Sequence, residues 1–442
     1  MIKRLIVEKS LAMQKRGAEI IPGLTQLLSK RPDQFAPGSW PGYYDRAKGV
    51  EVWDLDGNCY IDMSISGIGA VILGYCDPEV DEAVNNAVKK GNFCSLNCPE
   101  EVELADLLCQ LHPWANKVRF ARTGGESMAV AVRIARAYTG RDKVAFCGYH
   151  GWHDWYIAAN LLGKNAVDGH WLSGLDPVGV PKALKGTAHP FHYNEIAELK
   201  AVVSKHRDDL AAIIMEPIRN VQPQPGFLEA VRQIADETGA VLIMDEISSG
   251  FRLCTGGAHL NLGITPDIAV FSKALGNGYP IAAIIGIEQV MEAAQSCVIS
   301  STYWTDRIGP AAALATIKKY DRENVAAHLN HIGALIQKGW LAAAKKADLK
   351  IKVFGMYPMS HLEFEGKNGM AMMTLFVQGM LERGFLASNR FYANYSHTEQ
   401  HVNLYLKAVD DVFAIIAKAL QEGNVEKYLR GPVAKPGFSR LA

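Results

Sequence analysis

From about residue 100 to residue 290 the chain alternates short apolar runs with helix-like segments. The runs are KVRFA (117–121), KVAFC (143–147), AAIIME (211–216), VLIMDE (241–246), IAVFS (268–272) and IAAIIG (281–286). Runs this short and this continuously apolar read as strands buried on both faces. Strands alternating with helices predict an α/β fold with a mostly parallel central sheet and helices on both faces. A chain of 442 residues suits one large domain with smaller attachments. In open parallel sheets ligands sit at the carboxyl ends of the strands, so the polar residues closing these runs are the ones that carry chemistry.

The flanks differ in pattern. Residues 1–30 read as helical, and VEVWDLDGNCYID (50–62) reads as a hairpin around DLDGN. Asp54, Asp56 and Asn58 resemble part of a calcium loop, but the glycine falls one place early and the closing glutamate is missing, so the turn is preferred. After residue 320 helical periodicity returns, with a mixed stretch at LKIKVFGMY (349–357), which predicts a small C-terminal α+β unit. The expected division is an N-terminal helical segment and hairpin (1–65), a large ligand-binding domain (66–320) and a small domain (321–442).

With 46 basic and 46 acidic residues the net charge is zero, which leaves no electrostatic footprint for nucleic acid or an anionic membrane. No apolar run reaches the length of a membrane span, and Glu8 and Lys9 interrupt the short apolar start, so neither a span nor a secretory signal is expected. The eight cysteines are scattered. The one close pair, Cys94 and Cys98, lacks the further ligands of a zinc site, and reduced thiols in a cytoplasmic protein are expected.

Five strand ends carry distinctive groups. IAVFS runs directly into Lys273 and a glycine-rich turn, KALGNGYP (273–280). A lysine in partly desolvated surroundings has its ammonium form disfavoured, so its amine can attack a carbonyl, although this stretch taken alone fits a lysine reaching out to solvent better. KVRFA leads into Thr123-Gly124-Gly125 and a strong helix pattern, a loop of small residues whose backbone N–H groups can hold a phosphate. KVAFC is followed by GYHGWHD, which brings Tyr149 and His150 to the same edge. His150 and His153 have a metal-like spacing but no third ligand, and no metal is expected. AAIIME closes on Glu216, and VLIMDE on Asp245 and Glu246. An aspartate aimed into a buried ligand keeps a heteroaromatic nitrogen protonated. A phosphate, a lysine-bound aldehyde and a protonated ring nitrogen together describe pyridoxal phosphate.

The ordered set TGGES, GYHG, MEP, MDEI and FSKALGNGYP resembles the class III, fold type I, pyridoxal-phosphate aminotransferases, and within them the glutamate-1-semialdehyde aminomutase group. The likeness runs from the hairpin to SHTEQHV near the C-terminus. It implies that Lys273 forms the internal aldimine with the cofactor and later moves the proton. It implies further that Asp245 partners the pyridine nitrogen, and that Tyr149 and Ile247 cover the two ring faces. Gly124 and Gly125 match the phosphate loop, with His150 and Glu216 beside the cofactor. Gly125 stands where the family usually carries a hydroxyl. Thr305, in TYWTDRIGP, matches a threonine that reaches the phosphate from the neighbouring subunit, which implies a homodimer with its site completed across the interface. Arg307 and Ile308 replace the usual Ser-Gly beside it.

The implied activity is ping-pong transfer of an amino group from a small-molecule donor to an aldehyde or ketone. Two departures argue against the aminomutase itself. Tyr392, in SNRFYAN, stands where that group has a glutamate, and DQF (33–35) replaces its carboxylate-binding arginine motif. Arg31 or Arg390 would have to supply the missing charge, and a different acceptor is expected, a sugar or another polar carbonyl compound. Tyr392 and Arg390 are the candidate substrate contacts. The aminomutase, and a lyase, racemase or epimerase on the same scaffold, are the alternative readings. A non-catalytic cofactor binder is opposed by the presence of both Lys273 and Asp245.

Overall fold

The computed structural model describes residues 6–162, 176–218 and 220–435. They form two compact units, one of residues 78–326 and one that joins residues 1–77 to 327–442.

Residues 78–326 are built on a seven-stranded sheet. Its strands are β1 (Lys117–Ala121), β2 (Lys143–Cys147), β3 (Ala188–Pro190), β4 (Leu210–Met215), β5 (Val241–Asp245), β6 (Ile268–Phe271) and β7 (Ala282–Gly286). The spatial order is β1-β7-β6-β5-β4-β2-β3. Pairs β3/β2, β2/β4, β4/β5 and β5/β6 are parallel, and β7 is antiparallel to both β6 and β1. The six apolar runs are therefore all strands. The seventh, the edge strand β3, has the sequence AHP and offers no apolar run to read. β4 and β5 are buried at every position, as strands covered on both faces must be. The longest helix packed on this sheet is α1 (Gly124–Thr139), which turns Met128, Ala131, Ile134 and Ala135 into the core with Val144, Ile214, Ile243 and Val270. Gly140 ends α1 in the left-handed conformation at φ +66°, which a Cβ resists.

The other unit holds two sheets. Strands Tyr44–Lys48, Glu51–Asp54 and Cys59–Met63 form an antiparallel meander, with Phe385–Ala387 added in parallel to the last. Ile351–Phe354, Met359–Phe364 and Arg390–Tyr392 form a second, antiparallel sheet. The expected hairpin is present, and Asp54 closes its turn by accepting from the backbone N–H groups of Asp56 and Asn58, each at 2.9 Å. The helical expectation for residues 1–30 needs correction. A helix spans Glu8–Ile20 only, because Pro22 and Gly23 (φ +77°) break the backbone pattern, and only a short 3₁₀ turn follows at Leu28–Lys30. Residues 1–5 lie outside the described part. All eight cysteines are free. Among the described residues no helix is long and apolar enough to cross a membrane.

Candidate active site

The sheet delivers its polar groups at the carboxyl ends of the strands, as the topology requires. Asp245 is the last residue of β5 and is 2 % exposed. Its Oδ1 accepts the backbone N–H of Ile247 at 3.0 Å, and its Oδ2 lies 2.8 Å from Nδ1 of His150. The Nε2 of His150 lies 3.0 Å from the carbonyl oxygen of Cys147, at the end of β2. The imidazole is thus wedged between two acceptors, and it holds the buried carboxylate at one fixed place. His153 stacks on Trp152 with ring centroids 4.5 Å apart.

Lys273 follows β6 after a single residue, Ser272, and takes φ +46°. A left-handed lysine stores about 1–2 kcal/mol, and the surrounding structure must hold it there. Its Nζ donates to Oγ of Ser248 at 2.6 Å. Ser248 lies three residues beyond Asp245 in the turn that leaves β5, so the lysine nitrogen and the aspartate meet at one turn. Nothing in the sequence pattern singled out Ser248. The signal was its place, a small polar residue in the turn DEISSG.

The rest of the phosphate-type loop is built from close approaches. A Cβ on Gly124 would stand 2.9 Å from two side-chain carbons of Ile247, and a Cβ on Gly151 would stand 2.9 Å from Cα of Gly125. The GYHG strap therefore lies directly on the Thr123-Gly124-Gly125 loop, which only glycines permit. Glu126 accepts from the backbone N–H of Arg122 (3.0 Å) and of Thr123 (3.3 Å), which fixes the first turn of α1. Its sixteen-residue axis leaves the helix N-terminus as an anion site at this loop. Glu216, just past β4, reaches the same strap: a Cβ on Gly148 would stand 2.8 Å from its Oε2, and the backbone N–H of Tyr149 lies 3.5 Å from that oxygen. Tyr149 stands edge-on to Tyr156 at 5.9 Å between centroids.

Arg122 was not foreseen. Its guanidinium pairs with Asp306 and donates to the carbonyl of Trp304 at 2.8 Å, tying the segment that carries Thr305 to the start of the phosphate-type loop. Thr305 itself is exposed, and its hydroxyl donates to the carbonyl of Thr302 at 3.1 Å. Behind the site, Glu246 accepts from Nδ1 of His259 at 2.8 Å while Trp114 Nε1 donates to Nε2 of the same ring at 3.0 Å, and this buried chain anchors the turn after β5.

Tyr392 and Arg390 belong to the other unit. Tyr392 is 2 % exposed, and its backbone is bonded to Ser64 and Ser66. Arg390 shares a strand with it, and its Nε, buried, has no hydrogen-bond partner. Arg31 pairs with Asp33 through two hydrogen bonds, Nε to Oδ1 at 3.1 Å and Nη2 to Oδ2 at 2.5 Å, so its charge is already neutralised.

The donor set fits pyridoxal phosphate. A helix N-terminus lined by glycines suits a phosphate, the buried Asp245 carboxylate suits a pyridinium, and a lysine nitrogen held beside the same turn suits an aldehyde.

Comparison with known proteins agrees. The family model for class-III aminotransferases matches residues 36–413. A 3-aminobutyryl-CoA aminotransferase from Cloacimonas acidaminovorans (strain Evry) is 34 % identical over 95 % of this chain and its own full length. A 2'-deamino-2'-hydroxyneamine transaminase from Streptomyces kanamyceticus is 30 % identical over 86 % of this chain and 93 % of its own. Among solved structures, a transaminase with pyridoxal phosphate bound superposes with a TM-score of 0.83 at 26 % identity, covering 94 % of this chain and 99 % of the other. The match along most of the length, to a family built on this cofactor, places the chain among the class-III aminotransferases, as a pyridoxal-phosphate-dependent aminotransferase of fold type I.

Proposed function

We propose that Lys273 holds pyridoxal phosphate covalently through Nζ, that Asp245 faces its ring nitrogen, and that Gly124 and Gly125 take its phosphate. The observation that carries this reading is the convergence of Lys273 and Asp245 on the single turn 245–248. Tyr149 and Ile247 are assigned to the two ring faces. His150 acts through Asp245, and Glu216 through the strap it supports. Bound there, the cofactor supplies an electron-withdrawing ring that takes up the charge left when a proton leaves the amine-bearing carbon of the donor.

The chain's own part is to orient and to move protons. The carboxylate of Asp245, buried and fixed by His150, favours a positive ring nitrogen because opposite charges attract strongly where water is scarce. Lys273, once free as an amine, would take the proton from the donor at Nζ and give it back, serving as the proton carrier of the site. The amino group then stays with the protein until a carbonyl acceptor removes it.

For the acceptor we favour a compound without a free α-carboxylate, a sugar or another polar aldehyde or ketone. Arg31 is neutralised by Asp33, and DQF replaces the arginine motif of the aminomutase group. The relatives named above act, by their names, on an aminoacyl thioester and on an aminoglycoside, which supports this choice. We also favour a cytoplasmic homodimer in which Thr305 reaches the partner's phosphate. Its exposure fits that role, as do the exposed Tyr303 and Val298 nearby.

The test is spectroscopic. Adding amino donors one at a time should bleach the visible band of the purified protein, and the band should stay bleached until a carbonyl acceptor is supplied. Ammonia release with the band restored identifies a lyase instead. Preservation of the band in Lys273→Ala removes the lysine assignment.

A further inference from the structure

The turn after β5 does more than carry Asp245. Gly250 N–H donates to the carbonyl of Glu246 at 2.8 Å, and Arg252 Nε donates to the carbonyl of Ser248 at 3.2 Å. Arg252 is 1 % exposed, so this contact is deep in the unit. A Cβ on Gly250 would stand 2.8 Å from Cδ1 of Phe271, which means that the turn lies flat against the last residue of β6, the strand that delivers Lys273. Ser249 Oγ donates to Oε2 of Glu246 at 2.5 Å, and Glu246 is in turn held by His259. The backbone on both sides of Ser248 is thus immobilised in register with β6. Ser248 Oγ is a fixed point; the Lys273 nitrogen sits on a four-carbon stem and is not.

We propose that Ser248 is a positioning residue for the proton transfer, holding the freed ε-amine of Lys273 against the substrate carbon. This rests on the reading of Lys273 given above. The 2.6 Å bond is made through an N–H of Lys273, so Ser248 accepts from the nitrogen and does not itself compete for the lone pair of the amine. A carboxylate at this place would favour the ammonium form and remove the base, whereas a neutral hydroxyl fixes direction without that penalty. In the step itself the C–H bond of the donor carbon breaks, its electron pair stays with the conjugated system, and its proton goes to the Nζ lone pair. Nζ, now an ammonium, releases the same proton to the carbon across the shared nitrogen and ends as the neutral amine. Ser248 gains and loses no proton.

The experiment compares wild type, Ser248→Ala, Ser248→Cys and Ser248→Thr as holoenzymes in a single half-reaction, with donor carrying hydrogen or deuterium at the reacting carbon. Ser248→Ala should slow the half-reaction about ten- to a hundredfold, with the donor's binding constant changed less than about twofold. Its deuterium isotope effect should rise, because proton transfer becomes the slower step. Ser248→Thr should restore most of the rate. Ser248→Cys, a weaker acceptor of similar size, should fall between and covers the case in which alanine loosens the turn. As a readout apart from turnover, covalent capture of added pyridoxal phosphate by the apoprotein, followed by borohydride trapping on the Lys273 peptide, should slow in Ser248→Ala while melting temperature moves little. An unchanged isotope effect and an unchanged capture rate in Ser248→Ala overturn the proposal, as does a rate loss that follows melting temperature across the variants. Lys273→Ala in the same assays separates the two levels: turnover there would defeat the lysine assignment itself, whatever Ser248 does.

Discussion

Nδ1 of His150 lies 2.8 Å from Oδ2 of Asp245, and the two side chains are 0 % and 3 % exposed. A carboxylate so deeply buried depends on its partners, and removing one partner of such a pair is strongly destabilising. His150→Ala should cost about 3–5 kcal/mol of unfolding free energy. Asp245→Ala should lower the transfer rate roughly 10²–10³-fold, the loss seen when one well-aimed electrostatic group is removed from a site. Urea unfolding and single-turnover rates on both variants and their double mutant check this. Additive effects would show that the two act independently.

Gly151 and Gly140 both have positive φ, +102° and +66°, but only one of them is crowded. A Cβ at 151 meets Cα of Gly125 at 2.9 Å, and a Cβ at 140 meets nothing within 4 Å. Gly140→Ala should therefore cost about 1 kcal/mol and leave cofactor affinity alone. Gly151→Ala should push the strap off the phosphate-type loop, with a penalty of about 1–3 kcal/mol and weaker binding of pyridoxal phosphate. Equal affinities in the two variants would sink the placement of the phosphate.

Two buried histidines set an acid limit on stability. Burial, helped by the neighbouring His259, lowers the pKa of His112 to about 4 against the opposing pull of the Leu108 carbonyl and Glu246, and burial lowers that of His397 to about 4 as well. In the unfolded chain each titrates near 6.5. The unfolded state thus binds more protons between these values, so the stabilisation is complete above about pH 6.5 and is lost as pH falls toward 4. The loss is roughly 3 kcal/mol per histidine. Thermal melts at intervals from pH 7 to pH 4.5 should show this decline, and His397→Gln should flatten the slope even if it lowers the plateau.

Arg122 should matter out of proportion to its place beside the loop. Its side chain is 11 % exposed, and it holds Asp306 and the carbonyls of Trp304 and Asp306. Arg122→Met removes hydrogen bonds worth about 1.5–3 kcal/mol each to a charged group. Amide exchange at residues 302–307 should accelerate and the affinity for pyridoxal phosphate should fall. Arg122→Lys should rescue little, because an ammonium cannot reproduce the fork that reaches both carbonyls and the carboxylate.

Much of this protein was legible in one dimension. Most of the six strands announced themselves because a strand buried on both faces must be apolar at every position, as β4, LAAIIM, is, while β1, KVRFA, is buried only at Ala121 and was legible from its place in the alternation. Lys273, Asp245, Gly124 and Tyr149 were visible because each is an unusual residue at the end of such a run. β3 was not, since three residues at a sheet edge carry too little pattern. The extent of the first helix was misjudged because helical composition continued past the break at Pro22 and Gly23.

By itself the sequence determined the order of strands along the chain, the strand ends at which the distinctive polar residues gather, and the family. Those depend on composition and near neighbours, which a linear reading contains. Only the tertiary structure decided that Ser248 meets Lys273 across 25 positions, that His150 meets Asp245 across 95, and that Arg122 meets Asp306 across 184. Serine, histidine and arginine are ordinary residues whose pairing depends on where the backbone returns, and that is settled by packing the sheet and its helices into one core, not by any local preference of the chain.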